Sequence, residues 1–285
     1  MMKRFLMRLL AFALGIAFIA LALAPVAVRQ WRRWRDAHIA REYLDAAGAL
    51  DTLECGTLLA AARSYNDSHG SGPLADPFAG EADGEANADY GELLNPAGNG
   101  VMAVLEVPKL GAVLPVYHGT RDAALGAGVG HVEDTDLPVG GTGTRCALIA
   151  RRGGWFAGPF AGLDRLIAGD CFYIHTLQDT LVYEVVQEQT LAPEALAETA
   201  YDPRADECLL MTTTPYREDT QRLLVRATRV SRRATPLADD SRALPEWESR
   251  LIFAAPVAAA GLLLLALLAR LARALRRRRI KRMKL

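Results

Sequence analysis

The chain has 285 residues, of which 51% are hydrophobic and 23% charged, and its 33 basic and 33 acidic side chains give a formal net charge of zero. This composition excludes a disordered chain, and four cysteines are too few for a small disulfide-stabilised scaffold. The length is enough for one domain of ordinary size or two small ones. A zero net charge speaks against nucleic-acid binding, but this total conceals a strong segregation along the chain.

The two ends of the chain are basic and the middle is acidic. Residues 1–35 carry seven basic and no acidic side chains, and residues 251–285 carry nine basic and no acidic ones. The residues between them hold 17 basic and 33 acidic side chains, which is a net charge of −16.

An uncharged apolar stretch adjoins each basic end, at residues 11–28 and 251–269. Both stretches suit a transmembrane helix, which needs about 20 apolar residues. A cleaved signal peptide is the alternative for the first stretch, but no small-x-small cleavage site precedes Arg29, and we favour an uncleaved span. The Arg-rich tail predicts a cytoplasmic C-terminus, so two spans place residues 36–250 outside the cytoplasm and both termini inside. The same tail is suited to anionic lipid.

Between the predicted spans, the pattern changes at Gly100. Residues 36–65 are rich in Ala and Leu and predict a helix, which Gly48 and Gly56 weaken. Residues 66–99 are rich in Gly, Pro, Asp and Asn and predict a long loop, which is either functional or disordered.

Short apolar runs bounded by Gly, Pro and Asp follow Gly100, and they predict strands at 101–107, 112–116, 146–150, 171–175, 181–186, 208–213 and 223–230. Residues 160–168 and 192–200 predict short helices. Short strands separated by turns are typical of a closed barrel or a sandwich. The predicted organisation is a basic segment and first span (1–35), a helix and loop (36–99), a β domain (100–235), a linker (236–250), and a second span with a basic tail (251–285).

Several short motifs follow one another in the order of a known family. They include Asp76-Pro77-Phe78 in the long loop and Gly128-Val129-Gly130-His131 further on. The other matching segments are 99–102, 107–109, 114–120, 137–141, 169–170, 214–216 and 222–226. Residues 64–230 thereby resemble class C sortases, the membrane-anchored transpeptidases that polymerise pili in Gram-positive bacteria. Each motif is weak by itself, and the ordered set is specific.

The resemblance implies a mainly β fold, a sortase-type closed β-barrel with short helices, flanked here by the two predicted spans. It also implies a mechanism in which a Cys thiolate attacks the Thr–Gly bond of an LPxTG-type sorting signal. A His acts as general acid and base, and an Arg stabilises the oxyanion. In the family, the segment that matches Asp76-Pro77-Phe78 is a lid over the catalytic groove, although Asp-Pro-aromatic sequences are also common in ordinary turns.

The sequence departs from the family at the decisive positions. The nucleophilic Cys position is Thr213, and the His position is Arg151, whereas the oxyanion position retains Arg222. A Thr hydroxyl is a poor nucleophile without a base, no base is visible near it in the sequence, and Arg cannot accept a proton. Further departures from the family pattern nearby are Arg145, Arg217 and Gln221.

No other residue is a good replacement for the missing pair. Cys208 precedes Thr213 by five residues, which places it on the opposite face of a strand and roughly 16 Å away. His118 and His131 match positions that the family fills alongside its catalytic His, so we expect them to be structural. The remaining histidines, His38, His69 and His175, lie in no motif.

Cys146 and Cys208 each stand five residues before a site position. The family pairs these two strands in parallel, which would make the thiols neighbours. A disulfide between them is one interpretation. The other, which we favour, is that both are buried apolar thiols.

We therefore expect a class C sortase-like membrane protein that has lost transpeptidation and binds a sorting signal, a pilin or an active sortase. One alternative is an active transpeptidase with a non-standard nucleophile, and another is a structural or adhesive membrane protein that reuses the barrel. Arg151, Arg152 and Arg222 either favour an anion at the site or pair with the acidic domain. We expect no cofactor, no metal and no nucleic-acid partner.

Overall fold

The computed structural model describes residues 2–69, 73–78, 88–153, 158–215 and 218–231. Within this part, the chain from Trp31 onward belongs to a compact unit separate from that of the first 30 residues. The predicted linker, second span and basic tail lie outside the described residues, as do Tyr216 and Arg217. No helix in the described ranges combines the length and hydropathy needed to cross a membrane, and both predicted spans remain predictions.

The single helix predicted over residues 36–65 is in fact parts of two helices, α1 (Met2–Ala49) and α2 (Thr52–His69). The break occurs because Asp51 begins a new helix. Its Oδ1 accepts the backbone N–H groups of Leu53 and Glu54 at 2.8 Å, while Glu54 Oε2 accepts the N–H of Asp51 at 3.0 Å. This reciprocal capping box starts α2, which extends into the predicted loop. A further short helix, α3 (Ala88–Glu92), also lies within that loop.

In the part of the chain that the structure describes, eight strands form one closed barrel, which confirms the predicted mainly β barrel fold. Their spatial order is β1-β2-β3-β4-β7-β8-β6-β5, with β2–β3 and β4–β7 parallel and the other pairs antiparallel. All seven predicted strands are present, and the prediction missed the three-residue β3. The strands are β1 (Val101–Val107), β2 (Ala112–His118), β3 (Val129–His131), β4 (Thr144–Ile149), β5 (Cys171–Thr176), β6 (Asp179–Leu191), β7 (Asp206–Thr214) and β8 (Gln221–Arg229).

Helical structure within the barrel is short. One α-helix, α4 (Asp122–Ala127), precedes β3. The helices predicted at 160–168 and 192–200 are instead 3₁₀ turns at Leu163–Arg165 and Pro193–Glu198. Pro193 opens the second stretch, and 3₁₀ turns are frequent as connectors between other elements.

All seven residues of β1 are buried because two layers cover the strand. One side faces the barrel interior, and the other packs against α1, where Ala40, Tyr43 and Ala47 contact Val101 and Val104. The buried Tyr43 hydroxyl donates to the carbonyl of Met102 at 2.7 Å and accepts the N–H of Leu177 at 2.9 Å. The C-terminal part of α1 is therefore part of the barrel core.

A second apolar cluster covers the outer face of β4, β7 and β8. Ile149, Met211 and Leu224 belong to it, and Leu74 from the segment before β1 packs on them with Phe78 at the edge. Side chains at alternate positions of these strands point into the barrel instead. This face, under residues 73–78, carries the three predicted site positions.

Candidate active site

The three predicted site positions form one row at neighbouring ends of β4, β7 and β8. Thr213 on β7 pairs directly with Arg222 on β8, and by strand parity both belong to the face under residues 73–78, the lid segment. The parallel register of β4 and β7 matches Ile149 with Met211, and the hydrogen bond from Thr212 Oγ1 to the carbonyl of Ala150, 2.7 Å, keeps the chain beside β7 for one more residue. Extending this register to the next residue puts Arg151, just beyond β4, next to Thr213.

The hydroxyl of Thr213 has a carboxylate partner that the sequence interpretation missed. Thr213 Oγ1 donates to Oδ1 of Asp219 at 2.6 Å. Asp219 lies in the turn between β7 and β8, in the left-handed backbone region with φ of 53°. No motif marked this residue, because the contact depends on how the turn folds back onto the strand.

Arg151 points away to a different carboxylate. Its Nη2 lies 2.6 Å from Oδ1 of Asp122 in α4, and the two side chains are 53% and 95% exposed. The loop after β4 folds tightly here, since a Cβ on Gly158 would lie 2.2 Å from the carbonyl oxygen of Arg151. Arg152 is held more firmly, by Thr214 and by Asp164 Oδ2 at 2.8 Å. At the position of Arg151, the site therefore has a permanently charged side chain where proton transfer needs a titratable one.

Arg222 is buried beneath the lid motif. Its Nε and Nη2 each donate to one carboxylate oxygen of Asp76 at 2.8 Å, a bidentate pair whose side chains are 7% and 8% exposed. Its Nη1 donates to the carbonyl of Asp219 at 2.7 Å. The ring of Phe78 lies 5.2 Å from the guanidinium carbon. Pro77 follows Asp76 in a turn in which Asp76 Oδ1 also accepts the N–H of Phe78 at 3.2 Å.

His118 and His131 are occupied by structural hydrogen bonds. Both ring nitrogens of His118 face carbonyl oxygens, those of Leu93 at 2.7 Å and Gly100 at 3.1 Å. Burial lowers the pKa of His118. His131 is fully buried, with Nδ1 2.8 Å from the hydroxyl of Tyr90 and Nε2 2.8 Å from the carbonyl of Asp136. Neither ring contacts the row of site positions through these bonds.

Cys146 and Cys208 are direct partners in the parallel pair β4–β7, as the family pattern implied. Both thiols are buried in the barrel interior, and neither forms a disulfide. Cys208 is on the face opposite to Thr213, so it is not placed to replace the nucleophile.

We expect the thiols of Cys146 and Cys208 to be free and unreactive in the folded, full-length protein. Burial raises the pKa of Cys146 well above its ordinary value, so it forms little thiolate. Iodoacetamide followed by mass spectrometry should label both residues only after denaturation, while the partly exposed Cys171 is labelled in the native protein. Recovery of disulfide-linked peptides under non-reducing conditions would contradict this.

A buried charge cluster occupies the other end of the same barrel face. Glu207 is fully buried, with Arg145 Nε and Nη2 at 3.1 Å from its Oε2 and Arg226 Nε at 2.7 Å from its Oε1. Arg145 also donates to the carbonyls of Thr199 and Ala200 in the loop between β6 and β7. The sequence marked Arg145 solely as a departure from the family, and the structure makes it the anchor of that loop.

Metal ligation has no support in the described parts of the chain, where no three His, Cys, Asp or Glu side chains are grouped to hold an ion.

The fold agrees with comparisons with known proteins. Residues 105–230 match the sortase domain. Sortase A from Corynebacterium diphtheriae is 36% identical, with a TM-score of 0.62 over 74% of this chain and 96% of that one. The chain therefore belongs to the sortase family.

Structures of class C members support the finer assignment to that class. The pilus-related Sortase C of Group B Streptococcus is 32% identical, with a TM-score of 0.60 over 67% of this chain and 96% of that one. Sortase C of Streptococcus pneumoniae is 28% identical, with a TM-score of 0.60 over 70% and 99%. Among curated proteins, none matches the chain.

Proposed function

We propose that this class C sortase binds an LPxTG-type sorting signal, a pilin or an active sortase without performing thiol transpeptidation. Sortases act on LPxTG-type sorting signals and pilin substrates. The observation that carries the proposal is the row itself, in which Thr213 stands between Arg151 and Arg222. The fold that positions a substrate is retained, whereas the thiol and the imidazole are both replaced.

The chemistry of the row supports the proposed loss of transpeptidation. A thiol is partly ionised near neutral pH and is strongly nucleophilic, but an aliphatic hydroxyl needs a base to become so. Arg151 stays protonated and cannot take the proton. It also cannot donate one to the leaving amine, which is the second task of the missing imidazole.

One contact favours a second candidate function, a transpeptidase with Thr213 as the nucleophile. Asp219 accepts the hydrogen bond of the Thr213 hydroxyl at 2.6 Å, which is the geometry required of a general base. A carboxylate is a weaker base than imidazole near neutral pH, and the leaving amine still lacks an acid. We therefore rank this candidate below the binding function.

We further propose that the protein is anchored in a membrane, with the barrel outside the cytoplasm. The charge pattern supports this, because each uncharged stretch adjoins a basic end and the residues between them are acidic.

A structural or adhesive role for the barrel is a separate alternative, which pull-down from the native membrane tests. If the barrel has such a role, neither a pilin nor a sortase would be recovered.

A peptide-cleavage assay on the full-length protein tests the proposal. We expect no turnover of an LPxTG peptide above the protein-free blank. An active sortase that cleaves the same peptide is the positive control. Thr213→Ala and Asp219→Asn should change nothing. Turnover that both substitutions abolish, and that the exposed Thr190→Ala control retains, would establish the Thr213–Asp219 candidate instead.

A further inference from the structure

The lid segment fills the hydrogen-bonding capacity of a buried cation. Arg222 is 7% exposed, and Asp76 accepts from both Nε and Nη2, the edge of the guanidinium that faces the lid. If the lid leaves, these two donors lose their acceptors and turn to water. An unpaired buried charge is strongly destabilising, so a ligand that takes the place of the lid and covers Arg222 again must bring acceptors of its own.

The geometry of this contact defines the acceptor. Two parallel bonds of 2.8 Å join the guanidinium edge to both oxygens of one carboxylate, the arrangement in which Arg recognises carboxylates most strongly. The ring of Phe78, 5.2 Å from the guanidinium carbon, completes the contact. A peptide carbonyl offers one uncharged oxygen and replaces this pair poorly.

The neighbours of Arg222 place this acceptor at the end of a bound peptide. Thr213 is the direct cross-strand partner of Arg222 and occupies the family's nucleophile position, where the carbonyl carbon of the substrate Thr would react. Arg151 lies beside it, and its solvent-exposed pair with Asp122 holds it weakly, so this cation is available to a ligand.

We propose that the edge of Arg222 is a receptor for the C-terminal carboxylate of an extended peptide, and that Asp76 is its intramolecular occupant. The ligand is a cleaved sorting peptide that ends in Thr, in preference to the intact signal. The inference rests on the proposed function, a groove that binds sorting peptides without cleaving them. The lid opens when a terminal carboxylate takes the place of Asp76.

Binding to the full-length protein in detergent tests this with a fluorescent Leu-Pro-Ala-Thr peptide, as the free acid and as the C-terminal amide. We expect the free acid to bind about tenfold more tightly or better, since it alone supplies two charged acceptors. Asp76→Asn weakens the contact between the lid and Arg222. It should therefore increase the affinity for both peptides by a similar factor, so that the ratio of the two affinities is preserved.

The double variant Asp76→Asn with Arg222→Gln removes the charge pair without leaving one buried charge alone. It should bring the two affinities to within about twofold of each other. Arg229→Gln is the matched control, because Arg229 lies on the same strand and pairs with Asp206 at the far end of β8. This control should retain the preference for the free acid.

Four results would overturn the proposal. They are equal affinities in the unsubstituted protein, a preference that survives in the double variant, no binding of either peptide to Asp76→Asn, and an amidated Leu-Pro-Ala-Asp peptide that binds as well as the free acid. Both Thr peptides lack the scissile bond, so these outcomes do not depend on catalysis. Failure of the proposed function would appear separately, as turnover of the intact peptide.

Discussion

Arg151→His combined with Thr213→Cys is expected to convert the protein into one that cleaves LPxTG peptides. The two positions are adjacent in the row and share a face with Arg222, so the substitutions place a thiol between an imidazole and a guanidinium. Thr213→Cys alone should be much slower, since general acid–base catalysis contributes about 100-fold to 10⁴-fold. Peptide cleavage and an acyl adduct on Cys at position 213, detected by mass spectrometry, measure the effect.

A thiol one residue earlier provides the matched control for this gain of activity. Thr212 is buried, and its hydroxyl donates to the carbonyl of Ala150 at 2.7 Å, so it belongs to the opposite face of β7. Arg151→His with Thr212→Cys should remain inactive. Equal cleavage by the two double variants would show that the row does not define the site.

Among the substitutions proposed for this protein, removal of the Glu207 carboxylate should cause the largest decrease in the free energy of unfolding. Glu207→Gln leaves Arg145, whose side chain is 3% exposed, without its charged partner in a buried site. Breaking a buried pair on one side lowers the free energy of unfolding by about 3–5 kcal/mol. Denaturant unfolding of the full-length protein followed by circular dichroism measures it.

Two comparisons separate this effect from a general loss of charge. Asp122→Asn breaks the exposed pair with Arg151 and should change the free energy of unfolding by less than about 1 kcal/mol. Replacing Arg145, Glu207 and Arg226 together by Met, Leu and Met should recover much of the loss, because no buried charge is then left alone. A Glu207→Gln variant as stable as Asp122→Asn would contradict the argument.

Local pattern was enough to predict the barrel. Runs such as 101–107 and 208–213 are long and apolar enough to be recognised as strands, and ordered motifs indicate how they assemble. β3 was not predicted, because a run of three residues with a central Gly shows no periodicity. The break at Asp51 was missed because Ala and Leu continue on both sides of it, and the capping box decides the boundary.

The site could be predicted in its positions but not in its contacts. Motif order and strand parity are sufficient to place Arg151, Thr213 and Arg222 together. The partner of Thr213, Asp219, follows from the shape of a turn, and the partner of Arg222, Asp76, lies 146 residues away in the chain. The buried pairing of Arg145 with Glu207 likewise joins residues whose charges would predict exposure.

The packing of α1 on β1 also determines where the chain can be shortened. Ala40, Tyr43 and Ala47 cover Val101 and Val104, and the Tyr43 hydroxyl bonds backbone groups of β1 and of the turn between β5 and β6. A fragment that begins at the first strand would expose an apolar stripe and leave the N–H of Leu177 unpaired. The smallest fragment suited to expression and crystallisation therefore starts before Ala40, well upstream of the residues that match the sortase domain.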